Sequence, residues 1–431
     1  MSTPAREGSR NPWAWIPSLY LAEGLPYVVV MTVSVIMYKG FGISNTDVAL
    51  YTSWLYLPWV IKPLWSPIVD ILGTRRRWIW IMQLVIGAGL AGVAFALPGP
   101  NFFRASLAFF WLLAFGSATH DIAADGFYLL GTSERQQAQF VGVRTMFYRI
   151  ATIAGQGLLV VFAGKLAEST GNPRHAWTIA MATLAGLFLV FGLYHGFVLP
   201  RPTGDRPGEA RRIPEFVAAF LSTFGAFFRK PRIVAVLAFL LLYRFGEAQL
   251  VKMVSPFLLD ARTAGGLALS TAQVGFIYGT VGIIALTIGG ILGGVVVARD
   301  GLRPWLFPML FAIHLPDAVF IWLAYAQPTN LLLVQTCIAL EQFGYGFGFT
   351  AYVMYMIYVA RGQHQTAHYA IGTGFMALGM MIPGMWSGAL QDKIGYPHFF
   401  LWVIVATIPS FLVALWIPLD REFGRKQAAA A

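Results

Sequence analysis

The stretch RASLAFFWLLAFGSATHDIAADGFYLL, residues 104–130, holds two carboxylates inside an almost wholly apolar run. Asp121 and Asp125 are four residues apart, so on a helix they share one face. The run exceeds the ~20 residues that cross a bilayer as a helix. Each charge at the bilayer centre would cost about 3 kcal/mol or more. The stretch therefore predicts a transmembrane helix whose two carboxylates face a cavity or a partner.

The composition of the whole chain favours an integral membrane protein. Of its 431 residues, 57% are hydrophobic and 11% are charged, whereas soluble domains carry about a quarter charged residues. The single cysteine, Cys337, lies in an apolar run, and one cysteine cannot form a disulfide framework. A short polar N-terminal tail leads directly into a long apolar segment, so we expect an uncleaved first span and no separate targeting peptide.

Apolar segments long enough to span a bilayer recur along the chain. We predict twelve spans, at residues 13–38, 47–70, 77–97, 103–130, 137–164, 176–199, 232–258, 272–298, 304–326, 330–359, 366–390 and 396–418. The predicted fold is all-α, an integral membrane protein with twelve transmembrane helices in two six-helix halves. The predicted domains are the N-terminal half 1–199, a cytoplasmic linker with an amphipathic helix 200–231, the C-terminal half 232–418 and a cytoplasmic tail 419–431.

The net charge of +11 is mostly a topology signal. If the spans alternate, the arginines that follow spans 2, 4, 8 and 10, with those of the linker and the tail, fall on one side. The opposite loops are short and poor in Lys and Arg. By the positive-inside rule both termini face the cytoplasm, and the basic balance does not indicate a nucleic-acid partner.

The two halves carry similar loop motifs. Span 2 ends in SPIVDILGTRRRW and span 8 in GGILGGVVVARDGLRPW, each with an acid and arginines in the loop that follows. This six-plus-six plan resembles the major facilitator superfamily, whose loop motifs after spans 2 and 8 these segments partly match. We expect a structural or gating role for the acids and arginines of these loops, namely Asp70, Arg75, Arg76, Arg299 and Asp300.

Most intramembrane charges fall on spans that, by this resemblance, line or flank a central cavity. They are Glu23, Lys62, Asp121, Asp125, Arg144, Arg149, Arg244, Glu247, Lys252 and Glu341. His314 and Asp317, in span 9, do not fit the scheme, and their role stays open. A rise of ~1.5 Å per residue places Arg144 of span 5 level with the two aspartates, so we expect an ion-pair cluster between spans 4 and 5.

Two interpretations of the acidic pair stay open, a satisfied buried salt bridge and a proton-coupling site. Close carboxylates disfavour double ionisation, which suits a proton carrier. We predict that Asp121 gains and loses the proton, and that Asp125 with Arg144 is the switchable gating partner. Glu23 and Glu247 are the other candidate proton sites. The adjacent His120 is either a proton relay or a helix-packing residue.

Further motifs resemble the branch of the superfamily that contains the AmpG muropeptide permease and the acetyl-CoA transporter. They are EGLPYVV, KPLWSPIVD, RRRW, HDIAADG, FYRIA, YRFGEA and GYPHFF. The family usually has Gln where this chain has His120. The resemblance implies proton-driven import of an anhydromuropeptide by alternating access. The expected substrate-binding residues are Lys62, Tyr148, Arg149, Arg244 and Glu341.

The expected function is therefore a proton-coupled secondary transporter in the cell inner membrane, working as a monomer with a small-molecule substrate, protons and lipid as partners. A related anionic cargo, such as a siderophore or a CoA thioester, is the first alternative, and a membrane sensor or embedded enzyme is the second. The sequence contains no ATP-binding motif, nucleophile elbow or His/Cys metal cluster, so we expect no enzymatic activity, no metal and no cofactor.

Overall fold

The computed structural model describes residues 10–207, 213–362 and 364–424, which contain helices and no β-strand. The first ten α-helices are α1 (Ile16–Val28), α2 (Ser34–Gly40), α3 (Asn45–Trp54), α4 (Leu57–Leu72), α5 (Arg75–Ala96), α6 (Phe102–Gly131), α7 (Glu134–Thr152), α8 (Val160–Thr170), α9 (Pro173–Val198) and α10 (Ile213–Phe228). The remaining nine are α11 (Ile233–Leu242), α12 (Phe245–Leu259), α13 (Thr271–Phe276), α14 (Ile283–Asp300), α15 (Leu302–His314), α16 (Ala318–Ala326), α17 (Leu331–Ala360), α18 (Gln365–Ala406) and α19 (Ile408–Trp416).

The chain is a multi-pass membrane protein, because ten helical segments among its described residues are long and apolar enough to cross a bilayer. The predicted second span lies outside these ten, since α3 and α4 divide it. The last segment, Gln365–Trp416, has 52 residues, and at ~1.5 Å per residue it is more than twice as long as a bilayer core of ~30 Å. Gly395 interrupts it with φ 74°. The count of twelve spans stays a prediction.

Four long helical segments are interrupted at their centres. Three contain a π-helical turn, at Val29–Val33, Ile153–Leu159 and Ile277–Gly282. A fourth is broken between α11 and α12, where Arg244 has the non-helical angles φ −109° and ψ 19°. Such irregular turns are common at functional sites. Two of the π-helical turns directly follow α1 and α7, which carry predicted site residues.

The described residues divide into two compact units. Unit 1 comprises Met1–Ser34 and Ile61–Phe216, and unit 2 comprises Val35–Val60 and Val217–Ala431. In unit 1, α5 packs against α6 and α9, and α1 packs against α6 and α7. In unit 2, α17 packs against α14 and α15, while α18 packs against α3 and α12. The predicted domain limits at residues 199 and 232 stay predictions.

Glycines let α14 and α17 approach closely in unit 2. A Cβ added to Gly289 would lie 2.1 Å from the carbonyl oxygen of Phe343, and one added to Gly346 would lie 1.9 Å from that of Leu286. Small residues allow such backbone contact between membrane helices. Because a backbone carbonyl cannot rotate away, a methyl group at either glycine would force the helices apart.

We expect Gly289→Ala to destabilise the protein by about 1–3 kcal/mol, the usual effect of overpacking. Gly294→Ala, on the same helix, is the matched control because a Cβ there would meet nothing within 4 Å. Thermal unfolding of the two purified variants measures the difference. Equal melting temperatures would contradict the close packing of α14 on α17.

Candidate transport site

Three carboxylates of unit 1 meet where α1 packs against α6. Glu23 comes from α1, and Asp121 and Asp125 come from successive turns of α6. One carboxylate oxygen of each residue lies within 4.8 Å of those of the other two. Glu23 is buried, with 6% of its surface exposed, and the two aspartates are half-buried. We name Glu23, Asp121 and Asp125 the acidic cluster.

Two cations contact the acidic cluster. Lys62 of α4 forms an ion pair with Asp121 through its ammonium group. Arg144 of α7 places Nη2 2.7 Å from Oδ1 of Asp125. The predicted pairing of Asp125 with Arg144 is therefore present. Lys62 is paired with Asp121, and its expected role in substrate binding stays a prediction.

Aromatic side chains fix the position of the Arg144 guanidinium. Its central carbon lies 4.6 Å from the ring centroid of Tyr20 and 5.1 Å from that of Tyr128, within the range of cation–π attraction. The hydroxyl of Tyr20 also donates to Oδ1 of Asp125 at 3.4 Å. Span 1 therefore contributes both a carboxyl and an aromatic ring to the cluster.

Glu23 differs from the two aspartates because no cation lies within ion-pair distance of it among the described residues. Its Oε2 is buried and has no hydrogen-bond partner there. A carboxylate oxygen of Glu23 lies within 4.8 Å of one of Asp121. Two ionised carboxylates this close repel each other, which favours a proton on one of the two groups.

His120 lies beside the cluster in sequence but belongs to a separate hydrogen-bond chain. Its Nε2 is 2.9 Å from Nε2 of Gln83, and Oε1 of Gln83 is 2.9 Å from Nδ1 of His195. Nε2 of His195 is in turn 2.9 Å from the hydroxyl of Ser18. Since the amide nitrogen donates and the amide oxygen accepts, His120 accepts from Gln83 and His195 donates to it. This series of hydrogen bonds joins α1, α5, α6 and α9, which favours the packing interpretation of His120.

Arg244 and Glu247 form a buried ion pair at the break between α11 and α12 in unit 2. Nε of Arg244 donates to Oε2 of Glu247 at 2.8 Å, and Nη2 donates to the hydroxyl of Tyr345 at 2.6 Å. The guanidinium carbon also lies 4.9 Å from the ring centroid of Phe349. Glu247 is completely buried. Two of the five N–H donors of Arg244 are therefore already used within the protein.

The other predicted substrate-binding residues have different surroundings. Arg149 is half-exposed on α7, and its side chain makes no ion pair or hydrogen bond with the residues that the structure describes. Tyr148 packs its ring and backbone carbonyl against Gly24 of α1. Glu341 accepts from the side-chain amide of its neighbour Gln342 at 3.0 Å. Arg149 is the cation of this group, and its side chain has no ion-pair or hydrogen-bond partner among the described residues.

The predicted gating arginines hold the start of α5. The backbone N–H groups of Arg75 and Arg76 donate to the carboxylate of Asp205 at 2.7 and 3.0 Å. The side chain of Arg75 donates to the carbonyl oxygen of Gly126, and that of Arg76 to the carbonyl oxygen of Leu199. A carboxylate at a helix N-terminus is stabilising, so Asp205 fixes the linker against this helix. The side chain of Asp70, the acid predicted to act here, lies outside the described residues.

The loop motif after span 8 makes a smaller contact. Arg299 donates to the adjacent Asp300 at 2.8 Å, and the indole N–H of Trp305 donates to the same carboxylate at 2.8 Å. These contacts are local to the end of α14 and the start of α15. A gating role for the two loop motifs stays a prediction.

Sequence reasoning missed a polar cluster in unit 2. The side-chain amide of Asn45 on α3 donates to the side chain of Gln391. It also donates to the hydroxyl of Tyr396 at 2.9 Å. That hydroxyl donates to Asp260 at 2.6 Å, and Lys39 forms an ion pair with Asp260 at 2.7 Å. Each of these contacts joins residues that are more than a hundred positions apart in the chain and that share no motif. No pattern in the sequence brings them together.

Lys252, one of the cations that the sequence places around the predicted cavity, is a buried lysine. Nζ of Lys252 donates to the hydroxyl of Thr52 at 2.9 Å and lies 5.2 Å from the ring centroid of Tyr56. Its exposed fraction is 2%, and no carboxylate lies within 4.0 Å of it among the residues that the structure describes. A buried ammonium without a carboxylate partner is able to bind an anionic group.

Comparisons with known proteins place the chain among transporters. The family model described as the Major Facilitator Superfamily matches residues 18–246. A protein named putative transporter AmpG 4 from Rickettsia conorii is 26% identical over 412 residues, and the match covers 93% of this chain and 94% of that protein. The anhydromuropeptide permease of Escherichia coli is 23% identical over 416 residues, and the match covers 94% of this chain and 80% of the permease.

Solved structures resemble the fold. The crystal structure of a D-xylose–proton symporter superimposes with a TM-score of 0.70 at 13% identity, covering 96% of this chain and 99% of the symporter. At that identity the likeness concerns the arrangement of helices alone.

Proposed function

The chain belongs to the major facilitator superfamily of secondary transporters, and from that premise we propose that it imports an anhydromuropeptide-like amino sugar together with protons across the bacterial inner membrane. Transport proceeds by alternating access, with the protein working as a monomer. A transporter of this family has a small-molecule substrate and is not an enzyme. The proposal has two components beyond the family, proton coupling and the identity of the cargo.

The observation that carries proton coupling is the charge of the acidic cluster. Three ionised carboxylates beside Lys62 and Arg144 would leave one negative charge uncompensated. An unpaired charge among packed membrane helices costs several kcal/mol. A single proton makes the cluster neutral, so the cluster is built to bind and release one.

Glu23 is the residue that we assign as the proton carrier. Lys62 neutralises Asp121 and Arg144 neutralises Asp125, whereas Glu23 has no cation at ion-pair distance in the described part of the chain. The short distance between the carboxylates of Glu23 and Asp121, within 4.8 Å, supports a proton on Glu23, because two ionised carboxylates this close repel each other. This assignment replaces the expectation that Asp121 carries the proton.

Loss of the proton would rearrange the cluster. A deprotonated Glu23 repels Asp121 and competes with it for Lys62, because like charges a few ångströms apart are unfavourable. Lys62 reaches the cluster from α4, so its movement links the protonation state to the position of that helix. In this account Asp125 and Arg144 remain paired while Lys62 changes partner.

We assign cargo binding to cations that lack a carboxylate partner. Arg149 meets this condition among the described residues, and so, separately, does Lys252, whereas Arg244 does not. Amino sugars that carry peptide or lactyl groups present carboxylates, which Arg binds through two parallel hydrogen bonds. A siderophore or a CoA thioester would also present an anionic group, so the choice among them rests on the relatives named as AmpG transporters.

Counterflow in proteoliposomes tests the cargo. We expect vesicles preloaded with unlabelled anhydromuropeptide to exchange it for labelled anhydromuropeptide, and vesicles without protein not to do so. A siderophore and acetyl-CoA serve as competing unlabelled cargoes in the same assay. Exchange of either of these, with none of the anhydromuropeptide, would overturn the cargo assignment. No exchange of any compound, with specific binding to the purified protein, would instead indicate a sensor.

A further inference from the structure

Asp317 is a buried acid that neither the predicted cavity nor the acidic cluster uses. It lies between α15 and α16, and its side chain is completely buried. Both of its carboxylate oxygens are buried without a hydrogen-bond partner among the described residues. An ionised carboxylate in this position would be neither paired nor solvated, which is strongly unfavourable within a membrane. The geometry is that of a neutral, protonated carboxyl.

His314 presents a bare ring nitrogen to Asp317. Its Nε2 lies 3.1 Å from the backbone carbonyl oxygen of Tyr243. A carbonyl only accepts, so Nε2 carries the hydrogen. In the neutral ring Nδ1 is then an unprotonated acceptor, and it has no hydrogen-bond partner among the described residues. Oδ2 of Asp317 lies 3.9 Å from this Nδ1, so a small movement of the carboxyl would bring the two into hydrogen-bond range.

The charged neighbours of Asp317 are mostly acidic. The titratable groups that face the pair from adjacent elements are Tyr243 and Arg244 at the break between α11 and α12, Glu247 of α12 and Glu341 of α17. Glu247 is paired with Arg244 at 2.8 Å, and Glu341 has only an amide donor, Gln342. Among the described residues, no lysine or arginine lies within 4.0 Å of Asp317 to compensate a charge on it.

The carbonyl that His314 binds belongs to the broken span of unit 2. Tyr243 is the last residue before the break, and Arg244 follows it with non-helical angles. His314 therefore connects Asp317 to the backbone beside the Arg244–Glu247 ion pair. A positive charge on the imidazole would attract Glu247 and so weaken its attachment to Arg244.

We propose that Asp317 and His314 form a second proton-binding site, separate from the acidic cluster. In the structure the proton is on Asp317 and the imidazole is neutral. When the carboxyl approaches, the proton passes from Oδ2 of Asp317 to Nδ1 of His314, leaving a carboxylate and an imidazolium with no net change of charge. The imidazolium keeps its hydrogen bond to Tyr243, and its charge acts on Glu247 across the break. The transport role of this site rests on the proposed function, whereas its proton occupancy does not.

Infrared spectroscopy of the purified full-length protein at neutral pH tests the occupancy without cargo. We expect Asp317→Asn to lose the C=O stretching band of a single carboxylic acid, because the amide replaces a protonated carboxyl of nearly the same shape. Glu168→Gln removes an exposed carboxyl at the end of α8 and should leave the acid bands unchanged. An unchanged acid band in Asp317→Asn would show that this residue is ionised and would overturn the proposal.

His314→Gln provides a second variant in case Asp317→Asn does not fold. Glutamine retains an N–H donor for the carbonyl of Tyr243 but lacks the imidazole Nδ1 that faces Asp317, and its amide does not take up a proton near neutral pH. We expect the acid band of Asp317 to shift in frequency in this variant, and an unshifted spectrum would contradict the pairing. Neither experiment depends on the acidic cluster, so failure here leaves the proposed function intact, and failure of proton-coupled uptake leaves these measurements valid.

Discussion

Replacing Glu23 by glutamine should abolish uphill accumulation of cargo while leaving exchange intact. A pH difference of one unit stores about 1.4 kcal/mol per proton, which is enough for a roughly tenfold cargo gradient when one proton accompanies each cargo molecule. Glutamine resembles the protonated carboxyl but cannot release a proton. We therefore expect proteoliposomes with wild-type protein to accumulate cargo about tenfold and those with Glu23→Gln to reach only the external concentration, with counterflow exchange near the wild-type rate.

The matched control for this experiment is Glu168→Gln, which removes a carboxyl that is exposed and far from the cluster in sequence. It should accumulate cargo like the wild-type protein. If Glu23→Gln also accumulates cargo like the wild-type protein, the proton carrier is Asp121 or another acid, and the assignment of the proton to Glu23 is wrong. If accumulation follows a sodium gradient instead, the three carboxylates bind a metal cation in place of the proton.

Replacing Arg244 by methionine should cause the largest loss of stability. Glu247 is completely buried and has Arg244 as its ion-pair partner. Removal of one member of a buried ion pair costs about 3–5 kcal/mol, because the other charge is left uncompensated. We expect Arg244→Met to unfold at a markedly lower temperature than wild-type protein in the same detergent.

The double variant Arg244→Met with Glu247→Gln separates the structural role of Arg244 from cargo binding. Neutralising Glu247 removes the uncompensated charge, so most of the lost thermal stability should return. Cargo exchange by the double variant then reports whether Arg244 also contacts cargo, and we expect exchange to persist because its guanidinium is already engaged. A double variant as unstable as Arg244→Met would contradict the ion-pair account.

The sequence predicted some contacts because regular helix geometry determines them. The depth of Asp125 on span 4 and of Arg144 on the antiparallel span 5 follows from a constant rise per residue. The structure brings the two side chains to 2.7 Å. The membrane character of the chain was likewise predictable, since it depends on the length of apolar runs alone.

Other features depend on contacts that no periodic pattern encodes. Lys62 was expected to bind substrate because its position matches a family motif, but which carboxylate it meets depends on how α4 packs. Asp205 lies in a polar linker that resembles a connection without specific contacts, yet it caps α5. The π-helical turns lie in mostly apolar segments that have no regular polar face, so hydrophobic periodicity does not reveal them.

The proton carrier proposed for the acidic cluster also depends on contacts between helices, which spacing within one helix does not show. Spacing on one helix singled out Asp121 and Asp125, because both belong to α6. Glu23 joins them only through the packing of α1 on α6, and its lack of a cation is a property of the folded cluster. Choosing the proton carrier therefore required the positions of Lys62 and Arg144 as well as their presence.

Proton movement driven by cargo is the direct test of proton coupling through Glu23. Proteoliposomes that contain a pH-sensitive dye receive anhydromuropeptide on the outside, with no initial pH difference and with the membrane potential clamped. The account predicts that the lumen acidifies as cargo enters through the wild-type protein, and that cargo entering through Glu23→Gln causes no acidification. Cargo entry without acidification in the wild-type protein, or equal acidification in Glu23→Gln, would contradict it.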